Sequence, residues 1–301
     1  MFPVRCSHDR LGGMEQSKMI SISLKNISYK YPLTYNYALL DVNFDFEQGK
    51  FYGIIGPNGA GKSTICNLIK GLIPDFYLGT LEGTVELEGK PIKEWSQTDL
   101  CKKIGYIFQN PFTQISGIRE TVLEEIVIGL ENLGVPKDEM IKKVEEVTKM
   151  IDIYDIIDKN PNDLSGGQRQ RVAFASILAM DTDIYVIDEP TSQLDPEGSE
   201  SVFRIIKALK EMKKTIILVE HKIELLAKYA DEIIVVENGT IIKSGETHKV
   251  LSDYSLNERK VALPQAVHFS KAMDEAGKPL KQTPITIEEA ETLIRERGGN
   301  R

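Results

Sequence analysis

The sequence predicts an α/β protein with a mostly parallel core sheet, an antiparallel β subdomain and a helical subdomain. Three observations carry that prediction. Uninterrupted apolar runs of strand length recur at residues 51–56, 183–189 and 215–221. Strands covered on both faces read this way and belong to parallel sheets. Segments that alternate apolar and polar residues precede them, as antiparallel strands with one wet face do. A stretch of helical spacing separates the first apolar run from the other two.

Residues 1–18 read as an irregular leader. Residues 20–29 alternate and are rich in β-branched side chains, which predicts a strand. Val42, Phe44 and Phe46 alternate with Asn43, Asp45 and Glu47 and predict a second. The run at 51–56 is a buried strand ending in a Gly-rich turn, with a helix over 61–71. Helices are predicted over 118–129 and 136–151, the latter with Pro136 as its first residue. Between the strands at 183–189 and 215–221, residues 197–212 carry Val202, Ile205, Ile206 and Leu209 at helical spacing. Strand, helix, strand in that order implies a right-handed crossover. Asn238-Gly239 predicts a hairpin turn. After Asp253 the pattern thins into a polar tail. Thr286 and Glu289 predict one short capped helix there, and residues 256–284 read as irregular.

Composition excludes several classes. The 301 residues are 41% hydrophobic and 27% charged, an ordinary globular profile rather than a disordered one. The net charge of −8 argues against non-specific nucleic-acid binding, which depends on neutralising phosphates. No apolar run has the length of a membrane-spanning helix, and the N-terminus lacks a secretory signal. The cysteines, Cys6, Cys66 and Cys101, form neither a disulfide framework nor a zinc site. A reducing, cytosolic setting is the default.

The chemistry begins at Gly56, Pro57, Asn58, Gly59, Ala60, Gly61, Lys62, Ser63 and Thr64. This segment matches G-x-x-x-x-G-K-[ST] between an apolar strand and a helix. Such a loop turns backbone N–H groups inward around phosphates, and the helix N-terminus adds its positive end. Lys62 is expected on the β- and γ-phosphates and the Ser63 hydroxyl on Mg²⁺. Asp188 ends an apolar strand where a second Mg²⁺ ligand belongs. Glu189, directly after it, points elsewhere and suits the attacking water as base or orienter. His221 ends the next apolar strand. Ligands in open parallel sheets sit outside the carboxyl ends of the strands, so His221 shares a rim with Gly56 and Asp188 and is expected on the γ-phosphate. His8, His248 and His268 read as surface residues. Cys66, after the phosphate loop, reads as a small buried filler rather than a reactive thiol. Trp95 reads equally well as a partner contact or a partly buried anchor.

Residues 164–175, LSGGQRQRVAFA, complete a set. With the phosphate loop, Gln109, the strand ending in Asp188, the segment 192–195 and His221, the chain resembles ATP-binding cassette (ABC) ATPases over residues 20–251. The resemblance implies a P-loop NTPase cassette over residues 19–252, its helical signature subdomain at about 110–180, and a tail at 253–301. It implies ATP hydrolysis with ATP and Mg²⁺. Tyr31 would stack on adenine, with Tyr29 a nearby competitor. Gln109 would touch Mg²⁺ and the water. Ser165, Gly166, Gly167 and Gln168 would grip the γ-phosphate held by a partner subunit, with Ser165 as N-cap of its helix. Asp195 would meet the opposite phosphate loop, and Gln193 is an uncommon residue in that segment. The active unit is then a dimer of cassettes, identical or similar.

QNPFTQ (residues 109–114), followed by a helix closing in GLEN (residues 129–132), resembles energy-coupling factor and cobalt-type transporter ATPases. Phe112-Thr113 departs from the usual pair in that motif. This resemblance implies import of a vitamin or a transition-metal ion. The implied partners are a transmembrane coupling protein and a small substrate-binding membrane subunit, with the chain peripheral on the cytoplasmic face of the membrane. A conventional ABC transporter ATPase and a soluble, non-transport ABC ATPase are the alternatives.

Overall fold

The structure, a computed structural model, describes residues 19–110, 113–192 and 194–298. The leader with Cys6 and His8, and the departures at Phe112 and Gln193, lie outside the described residues.

β1 (Ile20–Lys30) pairs antiparallel with β2 (Leu39–Glu47). β3 (Phe51–Ile55) leads into α1 (Lys62–Ile69). β4 (Thr80–Leu87) returns antiparallel to the other side of β1, and β5 (Lys90–Pro91) pairs with β4. α2 (Gln97–Lys103), capped by Ser96, runs directly into β6 (Ile104–Ile107). Three helices follow: α3 (Val122–Asn132), α4 (Lys137–Met150) and α5 (Gly166–Leu178). β7 (Ile184–Asp188), α6 (Pro196–Glu211) and β8 (Thr215–Val219) form the crossover unit. Then come α7 (Ile223–Tyr229), the antiparallel pair β9 (Glu232–Glu237) and β10 (Thr240–Glu246), and α8 (Thr247–Leu251). α9 (Ser255–Glu258), α10 (Gln265–Glu275) and α11 (Ile287–Gly298) close the described chain.

Among the described residues the strands form two sheets. One is antiparallel, in the order β2-β1-β4-β5; the other runs β10-β9-β3-β8-β7-β6. In the second, β9, β3, β8, β7 and β6 are mutually parallel. The apolar runs are explained by alternation across that sheet. Tyr52, Ile54, Val186 and Ile217 face a core shared with α1 and the antiparallel sheet. Phe51, Ile55, Ile187 and Leu218 face a core shared with the helices. Both faces are dry, so neither leaves a polar position in the sequence.

Three expectations change. α3 starts at Val122, not at residue 118, because Thr121 caps it: the Thr121 side chain accepts from Glu124 N, and Glu124 reaches back in a capping box. Pro136 is the N-cap of α4 rather than its first residue; its φ of −62° would suit either place, but its ψ of 145° lies outside the helix. The tail is not one helix after an irregular stretch. α9 and α10 occupy that stretch, and Leu256, Val261, Leu263 and Val267 are buried in the helical-side core. Their spacing follows neither a helix nor a strand period, since the chain turns between contacts. The predicted helix over 286–294 is α11, entered with Thr286 Oγ1 accepting from Glu289 N at 3.2 Å.

Candidate active site

Parallel strands put their carboxyl ends on one rim. In this sheet the neighbours β3, β8, β7 and β6 deliver, in spatial order, the phosphate loop, His221, Asp188-Glu189 and Gln109. Gln109 sits two residues beyond the end of β6 rather than at its end.

The phosphate loop is shaped by two glycines. Gly56 has φ +148°, and a Cβ there would lie 2.0 Å from the Val236 carbonyl oxygen. Gly61 has φ +106° and would place a Cβ 2.6 Å from the Ala38 carbonyl oxygen. Only glycine fits either position. The Asn238-Gly239 turn braces the loop from outside: Gly239 N–H donates to Ala60 O at 2.9 Å. Lys62 folds back over it, with Nζ 3.0 Å from Gly56 O and 3.1 Å from Pro57 O. Its side chain is buried, and that burial lowers its pKa against the pull of the Glu189 and Asp188 carboxylates. Asn58, Gly59 and Ser63 face solvent.

Tyr31 stands at the other end of the same cleft, its hydroxyl 3.2 Å from Thr64 Oγ1. The cleft holds about 470 Å³ and is lined by Tyr31, the phosphate loop, Gln109 and Glu189. Tyr29 is not a rival for this place: it is fully buried and donates to the Tyr77 and Leu78 carbonyls.

The adjacent carboxylates diverge. Asp188 is buried beside Ser63, with which it hydrogen-bonds, and its Oδ1 has no hydrogen-bond partner. Burial raises its pKa, and the Ser63 bond opposes the rise. A buried carboxylate oxygen left open next to a hydroxyl suits a hard cation such as Mg²⁺, which takes one or two protein oxygens and completes its shell with phosphate and water. Glu189 turns away from it on a left-handed backbone, φ +45°. For a non-glycine residue this backbone costs about 1–3 kcal/mol, and here it turns the side chain toward Gln109 and His221. Its Oε2 accepts from Gln109 Nε2 at 2.7 Å, and its Oε1 lies 2.9 Å from His221 Nε2. Gln109, Glu189 and His221 therefore form one hydrogen-bonded row.

Glu220 supports that row and was not singled out from the sequence. Buried, it accepts from Thr191 Oγ1 at 2.7 Å and from His221 N–H at 2.7 Å. It ties the segment after Glu189 to the His221 turn. A lone carboxylate directly after an apolar strand and before a site histidine is the signal that would have found it. His248 and His268 are half-buried rather than surface residues: His248 lies 3.8 Å from Glu289 and His268 packs edge-on against Tyr254. Cys66 is fully buried, and burial pushes its thiol well above the ordinary value. Trp95 packs against the core beside α1, with the Lys90 ammonium 5.4 Å from its ring centre.

The remaining site residues gather elsewhere. Ser165 caps α5 in a capping box with Gln168. Gly166 and Gly167 follow, and a Cβ on either would meet nothing within 4 Å. Asp195 caps α6, with Oδ1 2.7 Å from Gly198 N. Ser165, Gly166, Gly167, Gln168 and Asp195 line one open groove of about 980 Å³. No residue of this groove lines the Tyr31 cleft. The structure thus brings together Tyr31, the phosphate loop, Gln109, Asp188, Glu189 and His221, and leaves the signature and Asp195 apart from them.

Comparison with known proteins gives the family. A family model described as ABC transporter matches residues 39–192. A putative ABC transporter ATP-binding protein of Pyrococcus abyssi is 41% identical over 258 residues, covering 85% of this chain and 91% of that protein. The energy-coupling factor transporter ATP-binding protein EcfA2 of Streptococcus thermophilus is 38% identical over 285 residues, covering 91% and 99%. Among solved structures, cbiO1 of Clostridium perfringens, part of the ABC transporter complex cbiONQ, superimposes with a TM-score of 0.70 at 29% identity, covering 84% of this chain and 100% of that one. A dimeric ATP-binding cassette in a post-hydrolysis state, bound to ADP and Pi, superimposes with a TM-score of 0.66 at 31% identity, covering 75% and 98%. With these matches, the chain belongs to the ABC transporter ATP-binding subunits, a family of ATPases.

Proposed function

We propose that this chain is the ATP-hydrolysing subunit of an energy-coupling factor uptake transporter, which imports a vitamin or a transition-metal ion. It works as one half of a cassette dimer, on the cytoplasmic face of the membrane, with a transmembrane coupling protein and a small substrate-binding membrane subunit. The observation that carries the transporter type is the match to EcfA2 over 99% of that relative, which extends into the tail beyond the cassette. The motif at 109–114 and the likeness to cbiO1 support the same reading. The dimer is supported by the separation of the signature groove from the phosphate-loop cleft.

In this reading Tyr31 stacks on adenine, and the loop 56–64 wraps the phosphates with its N–H groups. Lys62 holds the β- and γ-phosphates. Ser63, Asp188 and Gln109 would hold Mg²⁺, which would neutralise charge on the phosphates. Glu189 orients the attacking water and receives its proton. Gln109, already bonded to Glu189, aims that carboxylate, and His221 exchanges its bond to Glu189 for one donated to the γ-phosphate when ATP is bound. Ser165, Gly166, Gly167 and Gln168 of one subunit close over the γ-phosphate of the other, and Asp195 meets the opposing loop. Catalysis of this kind is mostly electrostatic positioning.

Affinity purification of the tagged chain from detergent-solubilised membranes tests the assembly. A polytopic membrane protein, a cassette ATPase and a small membrane subunit are expected by mass spectrometry. Recovery of the chain alone, or with ribosomes or DNA-repair factors, overturns the transporter reading.

A further inference from the structure

The segment that carries Gln109 leaves β6 at the edge of the core sheet. Among the described residues, β6 has β7 on one side and no strand on the other. An edge strand presents unpaired N–H and C=O groups there. The Gln114 carboxamide fills that place. Its Oε1 accepts from Phe108 N–H at 3.2 Å, and its Nε2 donates to Tyr106 O at 3.2 Å. One side chain thus supplies the acceptor and the donor that a facing strand residue would supply. The same Nε2 lies 3.5 Å from Ala173 O in α5, the helix that begins at the signature.

The far side of this loop is also fixed. Ser116 N–H and its hydroxyl donate to the two carboxylate oxygens of Glu125, at 2.6 and 2.7 Å. Glu125 is a buried residue of α3. Between these anchors, Gln109 is exposed, yet its amide meets Glu189 at 2.7 Å. The backbone bond at Phe108 restrains its direction from one residue earlier, and Thr113, which donates to Asn110 O, restrains it from one residue later.

We propose that Gln114 is a positioning residue for ATP hydrolysis: its carboxamide fixes the end of β6 so that the Gln109 amide meets Glu189, and it links that aim to the position of the signature helix α5. The inference rests on the reading of Glu189 and Gln109 as hydrolytic residues. It gives the last residue of QNPFTQ a physical task. A shift of α5 relative to the sheet pulls on the Gln114 amide and, through Phe108, on Gln109.

Steady-state ATPase assays on the full chain, purified with the subunits it carries, test this as a double-mutant cycle. Gln114→Ala is expected to lower kcat roughly tenfold or more, as small misplacements of catalytic groups do, with KM for ATP unchanged. Added to Gln109→Ala, it is expected to lower kcat no further, because its effect passes through Gln109. Gln114→Glu keeps an acceptor for Phe108 N–H but loses the donor to Tyr106 and Ala173. It is expected to show the same non-additivity and supplies the answer if the alanine variant fails to fold. Unchanged kcat, a raised KM alone, or multiplicative losses in the double variant overturn the proposal. Absence of turnover in the wild-type assembly overturns the hydrolytic reading and this inference with it. Wild-type turnover with a multiplicative cycle overturns this inference alone.

Discussion

The chain has two glycine-bearing turns that open onto a helix start, and they are built on opposite principles. At the phosphate loop, the Gly56 and Gly61 positions are closed in by the chain's own backbone, so a Cβ would strike Val236 O or Ala38 O. Lys62 is folded onto the loop and Tyr31 stands over it. This cradle is finished within one chain. At the signature, Gly166 and Gly167 face open space, and no contact within the chain requires glycine at either position. Their small size serves something that approaches from outside. In the proposed function the first turn is a whole site and the second is half of one, which a second cassette completes.

The largest test of this comparison is chemical. Glu189→Gln should lower ATP turnover about 10²–10⁴-fold, the usual range for a general base, while still binding ATP and dimerising. Turnover near the wild-type rate would remove Glu189 from its role. Lys62→Ala should weaken ATP binding by at least about tenfold, as the loss of a charge-assisted contact does; titration calorimetry that finds unchanged affinity would remove the cradle itself.

The next test separates whole site from half-site. Lys62→Ala and Ser165→Ala proteins should each be inactive, and mixing them should restore about a quarter of wild-type activity in a two-fold symmetric dimer. In a mixed dimer one site has both an intact loop and an intact signature. No recovery would mean that the facing signature comes from a different subunit.

A stability pair sharpens the glycine argument. Gly56→Ala should lower Tm by several degrees or prevent folding, since both φ and space exclude the methyl group. Gly166→Ala should leave Tm unchanged within error and still impair turnover. Equal Tm losses in the two would show that both turns are intrachain structures. The smallest effect belongs to Ser165, which also caps α5. Ser165→Ala should cost about 1 kcal/mol of stability, and Ser165→Asp should keep the cap, so comparing their melting temperatures with their turnover separates capping from phosphate contact.

Much of the fold was legible. The apolar runs of β3, β7 and β8 and the alternation in β1 and β2 each carry a period that one window of sequence contains. So do the phosphate loop and the capping residue of the signature helix. The tail was not legible, because Leu256, Val261, Leu263 and Val267 are each buried by a different neighbour after a change of chain direction. The helix start at Val122 was missed because Ile118 extends the apolar spacing one turn too early, and the Thr121 cap overrides it. The contacts made by Glu220 and Gln114 were beyond local reading for another reason. Their partners at Thr191, Phe108, Tyr106 and Ala173 include atoms far along the chain or on the backbone, which side-chain patterns do not encode.

The sequence by itself determined the residue types on which the proposed chemistry rests: a Gly-rich loop before a helix, two adjacent carboxylates at a strand end, and a histidine after the next strand. Each is a residue type at a fixed spacing within one turn or at one strand end, where local geometry follows from the backbone alone. Only the tertiary structure decided the contacts among them. Parallel order β3-β8-β7-β6 brings Lys62, His221, Glu189 and Gln109 to one rim, and it turns the Glu189 carboxylate between Gln109 and His221. It also leaves Ser165 and Asp195 in a separate groove. Adjacency between strands far apart in sequence is set by how whole faces bury against one another, and no local spacing carries that information.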